Sequence, residues 1–264
     1  MVHATDYPEF RWLLGAHGCA TICTRILFFW APFAIAKAYP DEPLYLGLLG
    51  LVQAIPALSL ALLGGHLADF LDRRNLLRYS YSLQWLCGLG MSASVFTDGW
   101  VRLSVIFVSM FFLGVARGFA DPTMPSLEAQ IVPRIAALSA ATWTTIVWHA
   151  CAVIAPLLAG ALIQQVGNIA PFVLAIGCSS LSIALVSWIS PKPRPQSASS
   201  EPFGQSITAG WRFVINRRIL WNSMALDLFA VLFGGAIAML PLYADQILHT
   251  CLLYTSDAAD DTPC

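Results

Sequence analysis

The fold turns on one stretch, RIAALSAATWTTIVWHACAVIAPLLAGALIQQVGNIAPFVLAIGCSSLSIALVSWISPK, residues 134–192. Between Arg134 and Lys192 lie 57 residues without a single Asp, Glu, Lys or Arg. A helix crosses the hydrocarbon core of a bilayer with about 20 apolar residues, so this run is too long for one helix and fits two. The break falls at Gln164-Gln165-Val166-Gly167-Asn168, with Pro171 just beyond. Polar residues, glycine and proline are the chemistry of a turn. The reading predicts spans over 138–163 and 170–189.

The same count of gaps between charges, carried outward, gives five more spans, at 12–36, 44–67, 79–97, 103–120 and 219–243. The gap from Glu42 to Asp69 holds 26 uncharged residues. Composition agrees: of 264 residues, 58% are hydrophobic and only 11% charged, with a mean hydropathy of +0.69. A soluble domain carries roughly 25% charged residues, so this chain cannot furnish a polar skin. Ordinary cytosolic enzymes and disordered proteins are excluded. The net charge of −1 leaves no basic footprint for a nucleic-acid partner. The seven cysteines sit mostly in apolar runs and read as small hydrophobes rather than as disulfides or metal ligands. The expected solvent, and first partner, is the lipid bilayer.

Basic residues set the orientation. With the N-terminus in the cytoplasm, eleven of the 14 Lys and Arg fall inside, Lys37 and Arg102 fall outside, and Arg25 lies within a span. Residues 190–218 open with Ser-Pro-Lys-Pro-Arg-Pro, a cytoplasmic linker, and continue through Ser206–Arg218 as an expected interfacial helix. Six spans (residues 1–189), a linker, and a seventh span (219–250) read as one complete bundle and the start of another. Spans 2 and 5 echo each other: Leu62-Leu63-Gly64-Gly65-His66-Leu67 against Leu157-Leu158-Ala159-Gly160-Ala161-Leu162, each after a proline, Pro56 and Pro156. If spans 1–3 and 4–6 are a repeat, the odd number of crossings inverts the second copy, a transporter trait. Chance recurrence of Leu, Gly and Ala is the competing reading.

Between spans 2 and 3 stands Gly65-His66-Leu67-Ala68-Asp69-Phe70-Leu71-Asp72-Arg73-Arg74. This resembles the signature loop of the major facilitator superfamily, with Gly65, Asp69, Arg73 and Arg74 at the matching positions. The Asp72-Arg73-Arg74 form is similar to the branch of drug and siderophore exporters that includes the enterobactin exporter. Phe70 departs from the family's usual basic residue there. Phe10-Arg11-Trp12, the Leu46–Leu51 run and the Asp227–Gly235 run resemble the same branch. Ala155-Pro156-Leu157-Leu158-Ala159-Gly160 resembles the antiporter motif in part, through Pro156 and Gly160. The usual span 4 arginine is unmatched, since Met110 stands four residues before Gly114.

The resemblance implies an all-α polytopic membrane protein, two inverted three-helix repeats forming the N-terminal six-helix bundle, plus a seventh transmembrane helix. It implies a secondary transporter in a bacterial inner membrane, monomeric, exporting an amphipathic small-molecule substrate against a proton gradient, with neither cofactor nor metal. In the family the loop latches a cytoplasmic gate against a helix of the second half. An importer of the same superfamily and a non-transporting receptor or scaffold remain open. No nucleotide-binding loop occurs in the sequence.

Ionisable groups at bilayer depth cost at least ~2.5–3.5 kcal/mol on insertion scales and are functional candidates by default. Arg25 is expected to contact substrate or an anion, and Asp227 to couple protons or pair at a gate. His149 is a candidate titrating group. Each also admits a structural reading as a hydrogen-bonding residue. Gln53 and Trp30 are expected to face the cavity, and Arg117 to snorkel to the headgroups. Gly114 and Gly118, a G-x-x-x-G pair, are expected to mark close packing within the chain. The spacing of His66, Asp69 and Asp72 also permits a metal-dependent transferase, which would need more acids than this chain supplies. Residues 251–264 resemble a translated sequencing-adapter read and are expected to be non-native; a chain ending there lacks five spans and is not expected to transport.

Overall fold

The computed structural model describes residues 4–192 and 217–234. The chain divides into two compact units, Met1–Ala198 and Ser199–Cys264. The first holds α1 (Pro8–Ala38), α2 (Leu44–Phe70), α3 (Arg73–Ser94), α4 (Gly99–Ile131), α5 (Ala137–Gln165) and α6 (Ala170–Ser187). The second holds α7 (Arg218–Gly234). Short 3-10 turns, Ala4–Asp6 and Arg134–Ala136, precede α1 and α5. All regular structure among the described residues is helical. The predicted interfacial helix and the 251–264 tail lie outside the described residues.

Each of the first six predicted spans has its helix, with two boundaries displaced, and of the seventh, 219–243, residues 235–243 lie outside the described residues. α3 starts at Arg73, not 79, because Asp72 caps it: the Asp72 carboxylate accepts from the Arg74 N–H at 3.0 Å and from the Asn75 amide at 3.1 Å. α4 runs 33 residues to Ile131, straight through Pro122 and Pro125. At 1.5 Å per residue this is about 50 Å, well beyond the ~30 Å hydrocarbon core. Counting charges ended the span early at Asp121. Among the described residues, α1, α2, α4, α5 and α6 are long and apolar enough to cross a membrane. α3 carries Arg73, Arg74 and Arg78 in its first two turns.

α2 packs on α4, α3 on α4 and α6, and α1 on α5 and α6. Exchanging α1 with α4, α2 with α5 and α3 with α6 maps this set of pairings onto itself. That is the signature of two three-helix repeats, and Pro56 and Pro156 occupy the interiors of the equivalent helices α2 and α5.

Small residues draw the seams together. A Cβ on Gly114 of α4 would strike the Gln53 carbonyl oxygen of α2 and sit 2.8 Å from Pro56 Cγ; on Gly118 it would meet Leu60 Cβ at 2.8 Å. The G-x-x-x-G pair is thus an intrachain seam. In the equivalent α1–α5 seam, a Cβ on Gly18 would meet Val147 Cγ1 at 3.1 Å, and the Cys151 thiol lies 3.6 Å from the Gly18 carbonyl.

Two apolar clusters form the core. One gathers Phe10, Leu13, Leu77, Leu127 and Val186; the other gathers Ile26, Leu27, Met91, Met110 and Phe172. Buried Gln84 of α3 donates to the Ala20 carbonyl at 2.6 Å and to Thr24 Oγ1 at 2.7 Å, fixing α3 to α1. A buried amide has to be paired in this way, or it costs the full price of desolvation.

Arginines tie the helix ends. Arg73 donates to the Ser126 carbonyl of α4 at 3.0 Å, and Arg74 to the Val186 and Ser187 carbonyls at the end of α6, at 3.3 and 2.5 Å. The Val186 and Ser187 carbonyls are among the last four of α6, which lack intrahelical donors and carry the negative end of the helix dipole, so a guanidinium suits them. At the opposite end Arg102 does the same for α3, donating to the carbonyls of Ser94, Val95 and Thr97 and pairing with Asp98 at 3.2 Å. Lys192 pairs with Glu9, whose carboxylate also accepts from the Ser190 N–H, tying the segment after α6 to α1.

Two outcomes follow for thermal unfolding in detergent. Gly114→Ala forces a Cβ into backbone and should destabilise by about 1–3 kcal/mol, whereas Gly160→Ala, with no atom within 4 Å of the new Cβ, should be neutral or stabilising by up to ~1 kcal/mol. Arg74→Gln removes charged donors from two helix-end carbonyls and should cost roughly 1.5–3 kcal/mol. Arg74→Lys should recover only part of that, since an ammonium lacks the fork that spans both oxygens.

Candidate functional site

The site grows from one side chain that apolar helices ought not to tolerate. Arg25 sits near the middle of α1, and its half-buried guanidinium lies over the Trp148 ring of α5, 4.6 Å from the centroid. Among the described residues it has neither a hydrogen bond nor an ion pair. An aromatic face offers a cation its negative quadrupole, more so where water is partly excluded. That contact stabilises the charge without consuming any of its five N–H donors.

Arg117 and Asp121 of α4 lie within electrostatic range of Arg25. They pair with each other at 3.3 Å, one turn apart, with 39% and 60% of their side chains exposed. Arg117 also lies over the Phe28 ring of α1, 5.3 Å from its centroid. So α1, α4 and α5 bring together two guanidiniums, one carboxylate and two aromatic faces. The cluster carries one formal positive charge, and it is open to the outside of the six-helix unit.

Arg117, expected to snorkel to the headgroups, has its contacts within the bundle. With α4 extended to Ile131 it stands near mid-helix, and its charge is met locally by Asp121 and Phe28. Trp30 stands apart from the cluster: it is 5% exposed, packs edge-on against Phe172 at 4.8 Å and lines a cavity at the Arg102 end of the bundle. Gln53 lies on the α2–α4 seam, where its Oε1 is buried and has no partner among the described residues. His149 is exposed, edge-on to the Trp148 ring at 4.7 Å, and so stands beside the cluster.

The other expected residues fall elsewhere. Gly65 and Asp69 lie in the last two turns of α2, their side chains outside the described residues. Asp72, Arg73 and Arg74 form the helix-end network above. Pro156 is inside α5, and Gly160 one turn on faces open space. Asp227 is exposed on α7 of the second unit. Asp121, Phe28 and Trp148 were not singled out from sequence. The available signal was the i, i+4 spacing of Arg117 and Asp121, which a charge-gap count reads as the end of a span. Glu128 is a further acid on α4, accepting from Thr144 of α5 at 2.8 Å. A cavity of about 260 Å³ at the opposite end is lined by Trp30, Phe33, Lys37, Val95, Arg102 and Asn168 among others, but Arg102 there is committed to helix-end carbonyls.

The chain matches the family model of the Major Facilitator Superfamily over residues 13–255. A comparison with curated proteins finds no match. With its apolar helices and this match across more than nine-tenths of its length, the chain is a multi-pass membrane protein and belongs to the Major Facilitator Superfamily.

Proposed function

We propose that this protein works as a proton-coupled exporter of amphipathic small molecules, drugs or siderophores, by alternating access in a bacterial inner membrane, with its N-terminus in the cytoplasm. The observation that carries the reading is the accessible charge cluster at mid-bundle. Ionisable groups at that depth mark substrate and ion pathways. In this reading Arg25 contacts substrate, Asp227 exchanges the coupling proton, and His149 stands at the edge of the site. The Asp-Arg-Arg turn lies on the cytoplasmic side. It clasps α3, α4 and α6, so the inner end of the bundle moves as one body while the gate opens and closes. The exporter branch rests on the Asp72-Arg73-Arg74 resemblance, and the orientation rests on the clustering of basic residues at one end.

Transport is measured in proteoliposomes holding the product of the gene resequenced across codon 250, loaded with a fluorescent amphiphile and given an imposed pH gradient. Proton-dependent flux should appear. Asp227→Asn should abolish its dependence on the gradient, and Arg25→Ala should lower flux about tenfold or more, the effect of losing a charged contact at a partly buried site. Flux unchanged in both variants removes these two residues from the pathway, and flux indifferent to the gradient removes proton coupling.

A further inference from the structure

The cluster around Arg25 is unbalanced in a way that specifies what it takes. Among the described residues Arg25 keeps all five of its donors unspent, held in place by Trp148. Arg117 spends one nitrogen on Asp121 and rests on Phe28. Among the described residues the single carboxylate facing both cations is Asp121, and it is the more exposed of the Arg117–Asp121 pair. The histidine at the edge, His149, brings no negative charge. Two guanidiniums cannot be neutralised by one carboxylate, and a guanidinium fork matches a second carboxylate oxygen pair in geometry and charge. The flanking Phe28 and Trp148 rings would cover a flat apolar body attached to that carboxylate.

We propose that Arg25, Arg117, Phe28 and Trp148 form a binding site for aromatic carboxylates, in which Asp121 is a built-in competitor that the incoming anion displaces from Arg117. This deepens, and rests on, the exporter reading by naming the substrate class. The displacement makes the site switchable without a metal or a covalent step. With the site empty, Asp121 holds Arg117; with the anion bound, both guanidiniums turn to the ligand and Asp121 is released to solvent on the exposed face of α4.

The test uses the full chain in nanodiscs of zwitterionic lipid, with equilibrium binding of three radiolabelled probes of one shape: 1-naphthoate, 1-naphthylmethanol and 1-naphthylmethylammonium. Naphthoate should bind in preference to the alcohol and the ammonium. Arg25→Gln and Arg117→Gln should each weaken it about tenfold, as losing one charge-assisted bidentate contact would. Asp121→Asn should tighten it several-fold, a gain that general damage to the fold would not produce. Arg25→Lys should bind with intermediate strength, and an unfolding midpoint near that of the parent shows that each variant is folded. The proposal is overturned by preference for the ammonium, by weaker binding in Asp121→Asn, or by absence of binding to all three probes. It is also overturned if added phosphatidylglycerol abolishes naphthoate binding, which would assign the cations to a lipid phosphate. The two readings fail separately. Naphthoate binding with this charge pattern but without gradient-driven flux leaves the site standing and removes the exporter. Gradient-driven flux of a cationic amphiphile that naphthoate does not inhibit leaves the exporter and removes the site.

Discussion

A chain immersed in hydrocarbon has nowhere to send a backbone N–H or C=O except to itself, and that requirement organises everything described here. It makes the regular structure helical, and it turns the helix ends, where four carbonyls are left over, into the places where scarce charges are spent. With only 14 basic residues in the sequence, two of the arginines donate to such ends, Arg74 at one end of the bundle and Arg102 at the other, while Arg73 reaches the Ser126 carbonyl nearer the interior of α4. These contacts bind helices distant in sequence, since Arg74 reaches across 113 positions to Ser187. The polar work of the fold is therefore done at the rims. The interior is left to small-residue seams, apolar packing and a few paired amides such as Gln84.

Against that background Arg25 is conspicuous. Among the described residues it neither caps a helix nor pairs with an acid, and it is held by the face of Trp148. A cation that contributes nothing to closing the backbone has to be explained by what it meets from outside the bundle. Membership of a transporter superfamily gives that explanation its general form, and the Arg117–Asp121 pair beside it gives the form a sign.

The fold was legible in the sequence because its signals are long-range sums. A 57-residue uncharged run and a turn of Gln, Gly, Asn and Pro sufficed to place α5 and α6. The three-helix repeat was legible from one short echo, and the pairing of helices agrees with it; its inversion follows from the parity of crossings. What escaped were places where one local contact overrides a sum. The Asp72 cap lengthened α3 at its start. The α4 helix passes through two prolines and an ion pair that marked a span boundary on charge alone. Of the site, Arg25 and His149 were legible because a charged or titratable side chain in an apolar run is costly. Asp121, Phe28 and Trp148 were not, since nothing in one dimension tells which residues of α1, α4 and α5 meet.

The two equivalent seams of the bundle are not equally close. Along α2 and α4 the glycines bring backbone against backbone, with the Gln53 carbonyl in the place a methyl group would need. Along α1 and α5 the matching glycine faces the tip of a valine and a thiol. Backbone meeting backbone cannot yield, while a side-chain tip can change rotamer. The pseudo-symmetric body therefore has a stiff flank and a compliant one. The compliant flank is the one where Arg25 leans on Trp148, so if the proposed ligand binds there, sliding α5 along α1 meets less steric resistance than sliding α2 along α4.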